Sequence, residues 1–209
     1  MSGAPVSPAV RPAAISPRSA PRFCSVCGAE RIEFRIPDGD TLPRHVCGAC
    51  ATIHYQNPKI VVGCLPELDD RVLLCLRAIE PRRGLWTLPA GFLENGETLT
   101  AGAMRETLEE ANARVALGAL YTIISLPHIS QVYMMFRAQL ASLDFGPGPE
   151  SLEVRLFSEE GVPWDELAFR TITRTLRNYF LDRKLGAMPL HVSAIERRTQ
   201  RDPSLLGAG

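Results

Sequence analysis

Gly91-Phe-Leu-Glu-Asn-Gly-Glu97, followed by Arg105-Glu106-Thr-Leu-Glu109-Glu110, is the stretch on which the reading of this chain turns. It sets three carboxylates and an arginine within six residues of a helix expected from about Thr98 to Ala111, just behind a glycine-rich turn. Carboxylates repel one another, so a helix that gathers them has a cation to hold. Oxygen-only ligands suit Mg²⁺ or Mn²⁺, the ions that accompany phosphate chemistry. The pattern points to metal-assisted attack on a phosphate ester or anhydride.

Helical geometry sharpens that reading. At about 100° per residue, Ala101, Met104, Leu108 and Ala111 share one face, which is expected to pack on a sheet. Glu106, Glu109 and Glu110 span another arc, with Glu106 and Glu110 one turn apart. Arg105 stands one turn before Glu109 and can orient its carboxylate by a charge-assisted pair. A solvated charged face would account for a lone Glu-x-x-Glu. It does not account for the conjunction with Gly91 and Glu97 at fixed distances.

The 209 residues, 45% of them hydrophobic, can bury one good core and a small satellite module. Formal net charge is zero, which argues against a broad basic surface for nucleic acid or anionic membrane. No apolar run approaches the length of a bilayer span. Four of the six cysteines form two Cys-x-x-Cys pairs, Cys24/Cys27 and Cys47/Cys50, with 19 residues between them. Two such knuckles present four sulfurs tetrahedrally, so the spacing reads as a structural Zn²⁺ ribbon over a dithiol redox motif. Gly28 follows the first pair, where the turn wants backbone freedom, and Ala51 holds the equivalent place after the second. Cys64 and Cys75 lie in apolar strand-like runs and read as core residues.

Residues 1–21 contain Pro5, Pro8, Pro12, Pro17 and Pro21 and no acid, and read as a disordered tail without the apolar core of a secretory signal. This favours the cytoplasm, although the arginine-rich, acid-poor composition is shared with organelle transit peptides. Residues 22–57 form the ribbon and 58–185 the main domain. Residues 186–209 lose apolar periodicity and are expected to fray. Within the main domain, strand-like runs at 60–65 and 71–76 suggest a hairpin. An irregular stretch runs through Trp86 to Gly91, followed by the helix, strands at 114–125, 130–140 and 152–157, and a last helix over 171–184. The order β-β-α-β-β-β-α is α+β, a mixed sandwich and not a doubly wound sheet.

Gly91, Glu97, Arg105, Glu106, Glu109 and Glu110 fall on the fixed positions of the Nudix box, G-x5-E-x7-R-E-U-x-E-E-x-G-U with U aliphatic. Thr107 and Ala113 depart at the aliphatic positions and Asn112 at the last glycine, and none of the departures removes a charge. The chain therefore resembles Nudix hydrolases over residues 58–185, which implies a Nudix α/β/α sandwich carrying a small N-terminal zinc ribbon. The resemblance implies that Glu106 and Glu110 ligate the catalytic Mg²⁺ or Mn²⁺, with Glu109 a further ligand or an orienting group and the Ala90 carbonyl joining them. It implies that Glu97 and Arg105 brace the loop and helix. A further acid often comes from outside the box in this family; Glu153 is the expected ligand or general base, with Glu150 second.

The cysteine pairs, Tyr55-Gln-Asn-Pro-Lys59 and Leu85-Trp-Thr-Leu-Pro-Ala-Gly91 resemble the zinc-ribbon branch of Nudix proteins. The resemblance implies a small-molecule dinucleotide or nucleotide-sugar substrate, ADP-ribose or FAD first, cleaved to a nucleoside monophosphate and a phosphate ester. NADH is the runner-up, because Leu117 to Ser130 contains only Pro127 where NADH pyrophosphatases carry a proline- and serine-rich signature. An RNA-cap hydrolase is a third reading, weakened by the balanced net charge. The rival from another class is a zinc-ribbon adaptor on a silent scaffold, which would have no need to keep the box charges. Phe92, Tyr121, Tyr133 and Phe136 could stack on a ring, Gln131 could add an amide hydrogen bond, and Arg77, Arg82 and Arg83 could meet phosphate. Trp86 reads as a packing anchor. The sequence leaves a homodimer open.

Overall fold

Val72, Leu73, Leu74 and Cys75 are all buried although they alternate sides of one strand, so both faces of the sheet that contains them must be covered. The computed structural model, which describes residues 21–197, shows how. The chain divides into two compact units between Asn57 and Pro58. Tail residues 1–20 and 198–209 lie outside the described residues.

In the N-terminal unit, β1 (Ile32–Arg35), β2 (Arg44–Cys47) and β3 (Ile53–His54) make a small antiparallel sheet in that order. Ile32 faces Cys47 and Val46 faces Ile53 across it. Each cysteine pair sits in a tight turn, closed by Gly28 N–H to Cys24 O and Ala51 N–H to Cys47 O, both at 2.9 Å. Gly28 and Ala51 have φ of +75° and +60°. Ala51 thus adopts the left-handed conformation with a β-carbon, at a cost of about 1 kcal/mol relative to an ordinary turn residue.

The second unit holds β4 (Lys59–Leu68), β5 (Arg71–Arg77), β6 (Trp86–Thr87), β7 (Ala90–Phe92), α1 (Leu99–Ala111), β8 (Val115–Leu126), β9 (Gln131–Leu140), β10 (Ser151–Phe157), α2 (Arg170–Leu185) and β11 (His191–Ala194). The sheet runs β10-β5-β4-β9-β8-β11, with β6 on β5 and β7 on β4. β4/β9 and β8/β11 are parallel pairs and the other pairings antiparallel. The expected sandwich of helices on a mixed sheet is the observed one. On one face Leu65, Leu74, Tyr121 and Met135 pack with Ile172, Leu176 and Tyr179 of α2. On the other, Val62 and Cys64 pack with Ala103 of α1, and Leu73 and Cys75 with Ala111. Each such aliphatic side chain contributes about 1.5–3 kcal/mol on burial. The stretch expected to be irregular supplies β6 and β7. β7 lies against the first half of β4 while β5 takes the second, which seats the Ala90–Gly91 turn directly on the sheet.

Two expectations are corrected. The face of α1 that meets the sheet is not Ala101, Met104 and Leu108, which are exposed; only Ala111 of that set is buried. Gly102, Ala103, Glu106, Thr107 and Glu110 form the buried face instead. These small residues let the helix come close: a β-carbon on Gly102 would stand 2.9 Å from a Val62 methyl. The Thr107 hydroxyl donates to Ala103 O at 2.8 Å, so its polarity is satisfied within the helix. The second correction concerns 186–197, expected to fray. Gly186 caps α2 with φ +69°, and the chain then returns to lay β11 parallel to Thr122–Ser125 of β8. His191 Nε2 lies 2.7 Å from Asp182 Oδ2, and Arg174 donates to Ala194 O at 2.9 Å, fixing the strand to α2.

Candidate active site

Thr98 starts α1 by accepting the Ala101 N–H at 3.1 Å, which fixes where the charged turn of the helix falls. From there Arg105 uses all five of its N–H donors. Nε and Nη2 grip both oxygens of Glu97 at 2.6 and 3.0 Å, Nη1 reaches Glu106 Oε1 at 2.9 Å and Glu109 Oε2 at 2.8 Å, and Nη2 also reaches Phe92 O at 3.2 Å. Glu97 Oε2 in turn accepts the Glu94 N–H at 3.1 Å. The loop before the helix and the helix itself are thereby tied at one guanidinium. Its hydrogen bonds hold the Glu97 carboxyl below its ordinary range despite some burial.

Glu106 and Glu110 point inward, one turn apart. The Glu106 carboxylate occupies the space above Gly91: a β-carbon there would lie 2.3–2.4 Å from its carboxyl atoms, so any side chain at this position would push the carboxylate out of its place. Glu110 Oε2 accepts the Ala90 N–H at 3.1 Å. Burial pushes Glu110 up to about 8, against the pull of that N–H, and the neighbouring charges of Glu106 and Glu150 add to the rise. Burial likewise raises Glu106, with the Arg105 hydrogen bond opposing it. The cluster carries more negative charge than Arg105 and Arg77 neutralise. An oxygen-only, anionic donor set of this kind fits a hard divalent cation, which Glu106 and Glu110 could hold, with Glu109 on the same helix. The carboxylate oxygens are not drawn together as the ribbon sulfurs are: Glu106 and Glu109 lean on Arg105 and Glu110 on the Ala90 amide.

The acid from outside the box that lines the cavity is Glu150, and the placement expected for Glu153 is corrected. Glu153 sits on β10 paired with Arg155, whose Nε lies 2.9 Å from Glu153 Oε1, and does not line the cavity. Val154 and Leu156 of β10 pack toward Ala111 and Ala113, so strand alternation turns Glu153 and Arg155 to the sheet's other side, where Arg155 lies over Trp86. Glu150, in the turn before β10, lines the cavity with Glu106, Glu109 and Glu110.

That cavity measures about 1280 Å³. Arg77, Arg82, Gln131, Tyr133 and Phe92 line it, as the sequence suggests, whereas Arg83, Tyr121 and Phe136 do not. Tyr121 is core, with its hydroxyl donated to Asp182 at 2.6 Å, and Phe136 packs against α1. Trp86 is buried edge-on against Phe157 at 4.8 Å. Arg77 is nearly buried, lies over the Phe169 ring at 5.2 Å and donates Nε to Pro81 O at 2.9 Å. Lys59 lies over Phe92 at 5.1 Å. The sequence reading misses the wall formed by His128, Phe169, Thr171 and Ile195–Arg197. Its only signal is the short alternation of His191-Val-Ser-Ala194.

In the ribbon, the sulfurs of Cys24, Cys27, Cys47 and Cys50 all lie within 4.8 Å of one another, with Cys24–Cys50 and Cys27–Cys47 at 3.6 Å. A tetrahedron with Zn–S of about 2.3 Å has sulfurs about 3.8 Å apart, so the four fit the ion. Val26 and Ala49 N–H groups point at Cys24 and Cys47 sulfur at 3.4 Å, and such bonds favour thiolate.

Two family models cover almost all of the described chain: a zinc-ribbon Nudix N-terminal model matches residues 22–56 and a NUDIX domain model residues 57–176. The chain belongs to the Nudix family. A crystal structure of a NUDIX hydrolase from Nitrosomonas europaea is 61% identical, with a TM-score of 0.81 over 84% of this chain and 99% of that one. An NAD-capped RNA hydrolase NudC of Edwardsiella ictaluri is 32% identical over 63% of this chain and 49% of its own. An ADP-ribose pyrophosphatase of Methanocaldococcus jannaschii is 28% identical over 55% of this chain and 69% of its own. This Nudix chain thus spans about half the length of the NudC relative. No helix among its described residues is long and apolar enough to cross a membrane.

Proposed function

We propose that the chain hydrolyses the diphosphate of a dinucleotide or nucleotide sugar, ADP-ribose or FAD in the first place, to a nucleoside monophosphate and a phosphate ester. The observation that carries this reading is the placement of buried Glu106 and Glu110 against Ala90 and Gly91, in a cavity whose other walls carry Arg77, Phe92 and Tyr133. A bound Mg²⁺ or Mn²⁺ supplies charge neutralisation and a water of lowered pKa. Glu106 and Glu110 would hold it, with Glu109 and the Ala90 carbonyl adding oxygens, while Arg105 keeps the carboxylates in register. Arg77 has its Nε committed to Pro81 O, which leaves the other end of its fork for phosphate oxygens. Phe92 and Tyr133 offer ring faces to a base or flavin.

Glu150 stands outside the box with the exposure of a group that can exchange protons, and its charge adds to the attraction for the cation. As general base it takes one proton from water; the oxygen bonds to one phosphorus and the bridging P–O bond breaks, its electrons leaving with the second phosphate. In the ribbon, Zn²⁺ would be structural, held by the four cysteines. Thiols that must stay reduced to bind it accord with a cytoplasmic setting.

The relatives named for NAD-capped RNA favour a second reading, in which the same anhydride is borne on an RNA end. Balanced net charge supports the small substrate. The test is a panel of ADP-ribose, FAD, NADH and NAD-capped RNA with Mg²⁺ in ¹⁸O-water, reading released AMP, or nicotinamide mononucleotide from the capped RNA, and the labelled product. ADP-ribose and FAD are expected to be cleaved faster than NADH, with label on one phosphate. Strict preference for NADH would make the chain an NADH pyrophosphatase, strict preference for the capped RNA would transfer it to the second reading, and label on a sugar carbon would rule out attack at phosphorus.

A further inference from the structure

Asn112 occupies the place where the box has its last glycine, and the structure gives it more to do than end a helix. It adopts the left-handed conformation, φ +47°, that glycine would supply, and its N–H closes α1 onto Leu108 O at 2.9 Å. Its side chain then goes beyond what glycine offers. Nδ2 donates to Pro147 O at 3.0 Å and, at the long end, to Gly146 O at 3.4 Å. The same loop is received by the helix backbone: Gly146 N–H donates to Ala111 O at 2.9 Å and Gly148 N–H to Glu110 O at 3.0 Å. A β-carbon at Gly148 would lie 1.7 Å from Glu109 O, so the loop presses on the last turn of α1 as closely as glycine allows. Pro147 and Pro149 stiffen it on both sides. Two residues past Gly148, Glu150 faces the carboxylate cluster, anchored from behind by Ala78 N–H to Glu150 O at 2.8 Å.

We propose that Asn112 is a positioning residue that holds the Gly146–Glu150 loop on the end of the box helix and so places the Glu150 carboxylate at the metal site. The inference rests on the role given to Glu150 above. It makes the departure from the box a functional coupling: the helix that carries Glu106 and Glu110 also dictates where the acid from outside the box stands.

Asn112→Gly tests it cleanly, because glycine takes the same backbone conformation with less strain and removes only the two side-chain bonds. Kinetics on ADP-ribose and Mn²⁺ titration of the substrate-free protein by electron paramagnetic resonance are measured for Asn112→Gly, Glu150→Gln and the double variant. Loss of a positioning partner should lower kcat about tenfold and weaken Mn²⁺ binding in the direction Glu150→Gln does, with KM held within about twofold. Thermal unfolding should stay where the wild type has it. The double variant should match Glu150→Gln alone, since Asn112 acts through Glu150. Wild-type kcat and Mn²⁺ affinity in Asn112→Gly would overturn the proposal, and so would losses that multiply in the double variant. If Glu150→Gln changes neither readout, the role of Glu150 falls and the proposal with it. If the wild type hydrolyses nothing in the panel, the substrate reading fails by itself, and the Mn²⁺ titrations still decide the role of Asn112.

Discussion

Arg105 and Glu106 are sequence neighbours that work in opposite directions. The guanidinium faces an acceptor with every donor it has, so its donors are taken up in holding Glu97, Glu106 and Glu109 in one frame. Burial raises the pKa of both Glu106 and Glu110, so in this half-dry site each carboxylate ionises at a cost that a divalent cation bound there would offset. Replacing either by glutamine keeps shape and removes charge. Glu106→Gln and Glu110→Gln should each lower kcat on the order of a hundredfold or more in saturating Mg²⁺, with circular dichroism and unfolding temperature preserved. A near-wild-type rate in either variant would show that its carboxylate is not a ligand. These charges were legible in the sequence because the chemistry fixes their types and spacing. The choice between Glu150 and Glu153 was not, since it depends on a register shift between Ser151 and Glu153 and on a proline–glycine–proline turn whose path is set by tertiary contact with α1.

At the scale of elements, α1 shows why periodicity alone misreads a catalytic helix. Its apolar stripe, Met104 and Leu108, faces away from the sheet, because the buried face has to deliver carboxylates to the Ala90–Gly91 turn and is built from small residues between them. The packing consequence can be measured. Met104→Glu should change stability by no more than about 0.5 kcal/mol, whereas Ala103→Leu should cost about 1–3 kcal/mol by overpacking against Val62 and Cys64 and lower kcat by shifting Glu106. Chemical denaturation of both variants decides it, and the opposite ranking would restore the face expected from the sequence. β11 escaped the sequence for a different reason: a short strand formed by parallel pairing with β8 owes its existence to long-range partners. One of its anchors is Asp182, nearly buried, which accepts from the Tyr121 hydroxyl and lies against His191. Burial works against its charge, but the hydrogen bonds from His191 and Tyr121 outweigh it and its pKa is lowered. A lowered carboxyl pKa gives stability that is present above the unfolded value, about 3.9, and is lost as pH falls through the folded one. Asp182→Asn should therefore unfold at lower temperature than wild type at pH 5, with the gap narrowing toward pH 3. A gap independent of pH over that range would mean the ionised carboxylate is not the stabilising form.

Across the whole molecule the donor sets of the two units differ in hardness. Four sulfurs at 3.6–4.8 Å suit a closed tetrahedral ion, while the carboxylates of the Nudix unit suit an exchangeable hard one. Both donor sets stood out in the sequence because each joins two motifs at a fixed spacing, the paired Cys-x-x-Cys in one unit and the Gly91–Glu97 turn with the charged helix in the other. The buried residues of the ribbon include little more than Cys24, His45, Val46 and Cys47, so binding of an ion by the four cysteines would supply most of its folding free energy. The Nudix unit has two apolar layers of its own and needs no such help. Protein purified under reducing conditions without added zinc should therefore hold one Zn²⁺ per chain. Cys27→Ser should lose that ion and the ribbon's unfolding transition, while the Nudix unit keeps its own transition and the chemistry is altered less than the ribbon. Metal analysis and calorimetry together check this. Less than one zinc per chain in reduced wild type would contradict the tetrahedral assignment, and collapse of both transitions in Cys27→Ser would mean that the Nudix unit depends on the ribbon for its stability.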